Sequence, residues 1–282
     1  MTLSIYSHTR CILGEGPVWD HNRQSLWWLD IKGKELFRKS TEEDSWILPR
    51  MVSALAHTDG QELLLAAEDG LYAFDPMQNS HKLLCEVETE LPDNRCNDGK
   101  TDRNGRFWFG TMDNLERDIT GGLYCFNGNE IRKVLSDIQI SNTLCWAPDN
   151  KTMYFADSAQ QLIWAFDYDA RNGTLSNRRV FVSLQGTSFY PDGSAIDADG
   201  CLWNAQWDGS RVVRYTPQGK EDFILELPTS RPTSCMFGGS DLQSLFITTA
   251  SIGLAPDEEK EAGKTFCFQT KTSGLPQTSF SM

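Results

Sequence analysis

Short apolar and aromatic runs recur along this chain, each preceded by a cluster of turn-forming Asp, Asn or Gly. The phrase reads Asp20-His21-Asn22 before Leu26-Trp27-Trp28-Leu29, Asp59-Gly60 before Leu63-Leu64-Leu65, and Asn104-Gly105 before Phe107-Trp108-Phe109. It returns as Pro148-Asp149-Asn150 before Met153-Tyr154-Phe155, Asp199-Gly200 before Leu202-Trp203, and Ser240-Asp241 before Leu245-Phe246-Ile247. The anchors at 26, 63, 107, 153, 202 and 245 stand 37, 44, 46, 49 and 43 residues apart, close to the roughly 40 to 50 residues of a four-stranded propeller blade. Between them, alternating segments bounded by Gly, Asn or Asp predict further strands at 35–39, 70–75, 122–126, 131–135, 163–168, 179–183, 211–215, 223–227 and 265–269.

Six repeats of this kind predict an all-β protein, a six-bladed β-propeller occupying residues 1–282 as a single domain. No segment carries a helical stripe of adequate length, and none is Pro-rich or of low complexity. A propeller hides its edge strands by closing on itself, so the strand Leu3–Ser7 is expected to pair in the blade that holds Thr265–Gln269. In each blade the innermost strand lines a central channel, and the residues just ahead of it are expected at the channel mouth.

Composition narrows the function classes. With 39% hydrophobic residues, 23% charged and no run of about 18 apolar residues, no membrane-spanning helix is expected. A net charge of −13, unrelieved by any Lys/Arg stripe, repels phosphate backbones and argues against nucleic acid as partner. Residues 1–10 lack the apolar stretch of a secretory signal, so the cytoplasm is the expected location. The eight cysteines are scattered singly, which reads as reduced, mostly buried thiols rather than disulfides.

Four oxygen-bearing side chains share one place in the repeat. Glu15, Asn97, Asn142 and Asp192 precede their aromatic strands at 26, 107, 153 and 202 by 11, 10, 11 and 10 residues. In the second and sixth repeats the same offset falls on Val52 or Ser53 and on Ser234 or Cys235. Two carboxylates and two amides aimed into one channel call for a divalent cation. The four histidines lie elsewhere, so Ca²⁺, Mg²⁺ or Mn²⁺ is expected, with Zn²⁺ or Fe²⁺ tolerated by an oxygen set. Taken singly, Asn142 and Asp192 also suit ordinary turns, whereas Glu15 between two glycines does not. Asp59, Asn104, Asp149 and Asp199 read as hairpin-turn residues, and Trp27, Trp28, Trp108 and Trp203 as packing between blades.

Several ordered motifs, Gly14-Glu15-Gly16-Pro17-Val18-Trp19, the RCNDGK run from Arg95 to Lys100, Gly105-Arg106-Phe107-Trp108-Phe109-Gly110-Thr111-Met112 and Pro191-Asp192-Gly193, resemble the regucalcin (senescence-marker protein 30) and gluconolactonase family. The likeness extends through Phe166-Asp167-Tyr168, Ser176-Asn177-Arg178-Arg179 and Cys235-Met236-Phe237-Gly238-Gly239, and leans toward bacterial sugar lactonases. The resemblance implies a six-bladed propeller that binds one divalent cation and hydrolyses an aldonolactone of the glucono-, galactono-, xylono- or arabinono- type. It implies that Glu15, Asn142 and Asp192 hold the metal and that Arg95 and Asn97 contact the substrate. Asp192 is further expected to take a proton from the attacking water. The animal proteins also use a glutamate in the loop after Gly-Thr-Met. Here the segment 113–121 is shorter and the matching place falls near Leu115 or Glu116. Two other readings stand beside the lactonase: a phosphotriesterase-like hydrolase, and a non-catalytic calcium-binding propeller. The ring size of the lactone, the physiological metal and the oligomeric state are left open.

Overall fold

A computed structural model describes residues 2–255 and 257–281; positions 1 and 282, which bound the expected domain, lie outside the described residues. Six antiparallel four-stranded sheets are arranged as the blades of a propeller. The first five take their strands in chain order, beginning with the inner strands Gly14–Asp20, Val52–His57, Asn94–Thr101, Ser141–Trp146 and Tyr190–Ile196. The sixth combines Pro232–Gly238, Ser244–Thr249 and Thr265–Gln269 with the N-terminal strand Leu3–Ser7 as its outer edge. Leu3 lies opposite Phe268 and Ser4 opposite Cys267. The expected closure therefore holds, and each end of the chain protects the other's strand edge.

The burial of each strand follows its place in the blade. The second strands Ser25–Asp30 and Phe107–Asp113 are buried at every residue, because both their faces pack on neighbouring blades, and so they read as continuous apolar runs. Trp27, Trp28, Trp108 and Trp203 fill these interfaces, at 0–3% exposure. The outer strands Glu43–Ile47 and Ser80–Glu86 are half exposed and mostly polar. Neither carries a clear alternation, which is why the sequence pattern does not announce them. All eight cysteines are free thiols, six of them buried.

One expectation about position is corrected. The aromatic anchors lie in the second strand of each blade, and the oxygen-bearing residues belong to the inner strand itself rather than to the chain ahead of it. All six inner strands carry a one-residue register shift toward the same end: between Glu15 and Val18, Val52 and Ala54, Cys96 and Gly99, Asn142 and Cys145, Pro191 and Ser194, and Pro232 and Ser234. A bulge turns a side chain out of the pleat, so the repeat carries a built-in device for aiming side chains at the axis.

Two buried aspartates clamp the blade turns. Asp102 accepts hydrogen bonds from Trp108 Nε1 at 2.8 Å, Tyr168 Oη at 2.6 Å and Arg106 Nε at 2.7 Å, besides backbone N–H groups of its own turn. Asp197 does the same with Trp203 Nε1 at 2.9 Å and Arg214 Nε at 2.7 Å. Both carboxylates are fully buried.

Candidate active site

The bulges set the site. Glu15 and Asn142 are the last paired residues before the shift, while Asn97 and Asp192 are the first inside it; the eleven-or-ten offset in the sequence records this one-residue difference. After each of the first pair the chain turns to positive φ, at Gly16 (55°) and Thr143 (60°). A β-branched residue seldom adopts that region. Thr143 is held there because its Oγ1 donates to Asp192 O at 2.5 Å and meets Ser194 Oγ at 3.0 Å, and Asn204 Nδ2 donates to the same Asp192 carbonyl at 2.9 Å. Gly193 cannot carry a side chain, since a Cβ there would sit 2.2 Å from Ser234 Oγ.

Each candidate carboxylate is half committed. Glu15 Oε2 accepts the N–H of Gly16 at 3.0 Å and Asp192 Oδ1 that of Gly193 at 3.0 Å. Their other oxygens have no hydrogen-bond partner among the described residues, and neither residue is in an ion pair there. Asn142 Nδ2 donates to Ser158 Oγ at 2.8 Å, and Ser158 Oγ donates on to Pro191 O at 2.6 Å. That chain fixes the amide so that Oδ1 accepts only the long hydrogen bond from Asn97 Nδ2 at 3.4 Å and keeps one lone pair uncommitted. Asn97 Nδ2 also donates to Ser141 O at 2.9 Å, and its Oδ1 accepts from Arg95 Nη1 at 2.8 Å. Arg95 is 4% exposed and is held further by Cys96 O at 2.8 Å and Asn114 Oδ1 at 3.0 Å.

Burial pushes Glu15 up from the usual carboxylate range, and the charge of Asp98 adds to it. Burial likewise raises Asp192, followed by the charges of Glu15 and Asp98. Asp98 itself is raised by burial, opposed first by Lys100 and then by the backbone N–H groups it accepts. Two buried carboxylates held at raised pKa, Asp192 in part by the charge of Glu15, with free oxygens and a pre-oriented amide oxygen beside them, form an incomplete electrostatic arrangement that a divalent cation would complete. Among the described residues no three His, Cys, Asp or Glu side chains are grouped to hold a metal, so a site here depends on the amide as third donor. The donors are hard oxygens, which fit Ca²⁺, Mg²⁺ or Mn²⁺ before softer ions.

The structure thus brings Arg95, Asn97 and Asn142 into direct contact, and sets Glu15 and Asp192 within electrostatic reach of Arg95. Glu116 is exposed on the loop after Asp113 and makes no hydrogen bond to Arg95, though its charge reaches it. Ser158, Thr143, Asn204 and Asp98 support the site and escape a reading of the sequence. Ser158 lies in a single 3₁₀ turn, Ser158–Gln160, and no repeat pattern marks it. At the other end of the channel a cavity of about 420 Å³ is lined by Leu55, Lys100, Cys145, Ile196 and Phe237 and bordered by residues 275–279. It does not include the candidate site, and Asp98 lies between the two.

A six-bladed propeller with carboxylate and amide oxygens converging at one mouth of its channel is the frame into which the comparisons with known proteins fall. The sequence model described as "SMP-30/Gluconolactonase/LRE-like region" matches residues 13–251, and the chain belongs to that family. It is 35% identical over 288 residues to an L-arabinolactonase of Azospirillum brasilense, covering 98% of this chain and 95% of that one. It is 36% identical to regucalcin of Oryctolagus cuniculus, covering 94% and 92%. Among solved structures, a calcium-binding regucalcin of Agrobacterium tumefaciens superposes with a TM-score of 0.95 at 32% identity, covering 99% and 97% of the two chains. Among the described residues, no helix is long and apolar enough to cross a membrane.

Proposed function

We propose that this protein is a divalent-metal-dependent sugar lactonase that opens an aldonolactone to its aldonic acid. The observation that carries the reading is the pair of buried carboxylates, Glu15 and Asp192, each with one uncommitted oxygen beside the oriented Oδ1 of Asn142. Glu15, Asn142 and Asp192 would hold the cation. When bound there, it supplies Lewis acidity toward a carbonyl oxygen and a lowered pKa for a water molecule.

The chain's own residues account for the remaining steps. Arg95, pinned by Asn97, Cys96 and Asn114, presents Nη2, which has no partner among the described residues, to the polar part of the substrate away from the ester. Asn97 spends its N–H groups on Ser141 and Asn142, so its part is to orient Arg95 and Asn142 and to offer an Oδ1 lone pair to a hydroxyl. Asp192 accepts a proton as water adds to the lactone carbonyl carbon. The ring C–O bond then breaks and that proton passes to the departing ring oxygen, which becomes a hydroxyl of the product. The names of the lactonase relatives support this reaction class, and the absence of a nearby serine or histidine nucleophile arrangement in the sequence favours it over a covalent route.

The test is a pH-stat comparison of neutral aldonolactones with a paraoxon-type phosphotriester. Turnover of at least one lactone, and a far poorer phosphotriester, is the expected result. The reverse order assigns the protein to the phosphotriesterase-like reading, and turnover of neither, with cation binding retained, to the non-catalytic one.

A further inference from the structure

Two cations at the mouth of the candidate site share one neutral acceptor. Lys32 Nζ donates to Asn114 Oδ1 at 2.6 Å and Arg95 Nε donates to the same oxygen at 3.0 Å. The two nitrogens are therefore at most 5.6 Å apart, 2.6 Å plus 3.0 Å. Neither Lys32 nor Arg95 has a carboxylate oxygen within 4.0 Å among the described residues, in a chain whose net charge is −13. Lys32 retains two free N–H bonds and Arg95 its Nη2 group. Carboxylates act on the two only at longer range, Glu116, Glu15 and Asp192 on Arg95 and Glu116 and Glu68 on Lys32, so two like charges sharing one neutral acceptor call for a structural reason.

Both supporting turns are built rigidly. Asp30 ends the second strand of the first blade and lies opposite Gly14, beside Glu15. Its carboxylate accepts the N–H groups of Ile12, Leu13 and Gly33 at 2.7, 3.0 and 2.9 Å, fixing the turn that carries Lys32. Asp113 ends the corresponding strand of the third blade, opposite Asn94 and beside Arg95. It accepts the N–H groups of Leu115, Arg117 and Asp118 at 3.0, 2.9 and 3.2 Å, fixing the loop that carries Asn114. The two turns thus face each other over the same end of the channel as Glu15.

We propose that Lys32, Asn114 and Arg95 form an anion subsite, so that the lactone this protein takes carries a carboxylate or phosphate group away from its ester. The inference rests on the lactonase reading and names the substrate class within it. The field at Lys32 agrees: burial lowers its pKa first and the charge of Arg95 next, ahead of the opposing pull of Glu116. Glu116, exposed on the Asn114 loop at φ 57°, is the carboxylate whose charge acts most on both Lys32 and Arg95 and competes with such a ligand.

The experiment compares kcat/KM for a gluconolactone, the glucarolactone bearing a carboxylate and 6-phosphogluconolactone, in the wild type, Lys32→Met, Glu116→Gln and, as control, Lys34→Met, which alters a lysine paired with Glu68 instead. One of the anionic lactones is expected to exceed the neutral one, and which of them does so identifies the group read. Lys32→Met should cut the anionic-to-neutral ratio about tenfold, through KM, and salt should cut it similarly. Glu116→Gln should raise the ratio and Lys34→Met leave it unchanged. A ratio that Lys32→Met does not move overturns the subsite. If no lactone is turned over, the lactonase reading fails, and the subsite is then judged by calorimetric binding of glucarate against gluconate. Equal affinities in wild type and Lys32→Met overturn it.

Discussion

Asn142 and Ser158 are joined by a 2.8 Å hydrogen bond from the amide nitrogen to the hydroxyl, and the hydroxyl donates in turn to the backbone of Pro191, the residue before Asp192. One side chain thereby sets the amide orientation in the fourth blade and ties it to the strand of the fifth that carries Asp192. Ser158→Ala removes the constraint and leaves the amide free to rotate. Cation affinity, measured by calorimetry with Ca²⁺ or Mn²⁺, should fall about 10- to 100-fold with little change in melting temperature. An unchanged affinity would mean that Asn142 is not a donor.

The titration of Glu15 gives a stability signature. Burial, then the charge of Asp98, raises its carboxyl to about 8, against about 4.3 in an unfolded chain. A folded-state pKa above the unfolded one means the folded chain holds the proton more tightly. Its contribution is fully present below the unfolded value and is lost as pH rises through the folded value. EDTA-treated protein should therefore lose melting temperature between about pH 4.3 and 8 relative to Glu15→Gln, which has no such proton to lose. Saturating Mn²⁺ should abolish the difference. Parallel curves for the two stripped proteins would contradict the burial of Glu15 as an unpaired carboxyl.

The roles proposed for Arg95 and Asp192 separate binding from chemistry. Arg95→Lys keeps the charge but loses the fork that reaches Asn97, Cys96 and Asn114 together, so KM should rise about tenfold while kcat changes less. Asp192→Asn should lower kcat by about 10² or more. Steady-state kinetics on one good lactone distinguishes the two, and the assignment fails if Asp192→Asn retains near-full turnover with cation bound.

The blade clamps predict a contrast in stability. Asp102→Asn leaves Arg106, Trp108 and Tyr168 poorly matched around a buried amide and should cost about 3 kcal/mol. Asp199→Asn removes a largely exposed partner of Arg214 and should cost under about 1 kcal/mol. Urea unfolding measures both.

The repeat made the propeller legible because every second strand is sandwiched between blades and must be continuously apolar, as in Leu26-Trp27-Trp28 and Phe107-Trp108-Phe109. The closure was legible for the same reason, a strand edge needing cover. Outer strands such as Glu43–Ile47 face solvent, and solvent imposes no pattern. Within the site, the four side chains at the bulge were legible because a repeat puts equivalent residues at equivalent heights. Ser158, Thr143, Asn204 and Lys32 act through contacts between blades that no spacing within one blade encodes. Asp102 and Asp197 did leave a trace: each stands six residues before its tryptophan, in Asp102-Arg103-Asn104-Gly105 and Asp197-Ala198-Asp199-Gly200. The turn residues at 104 and 199 were readable, but the buried clamp lies two positions earlier.

In the proposed mechanism, lactone opening depends on a divalent cation held by Glu15, Asn142 and Asp192. The most direct measurement is pH-stat turnover of an aldonolactone by EDTA-stripped protein before and after add-back of Ca²⁺, Mn²⁺, Mg²⁺, Zn²⁺ or Fe²⁺, in wild type and Asp192→Asn. Stripping is expected to abolish turnover, at least one cation to restore it in wild type, and none to restore more than about a hundredth of it in Asp192→Asn. Full turnover by the stripped wild-type protein would contradict that mechanism.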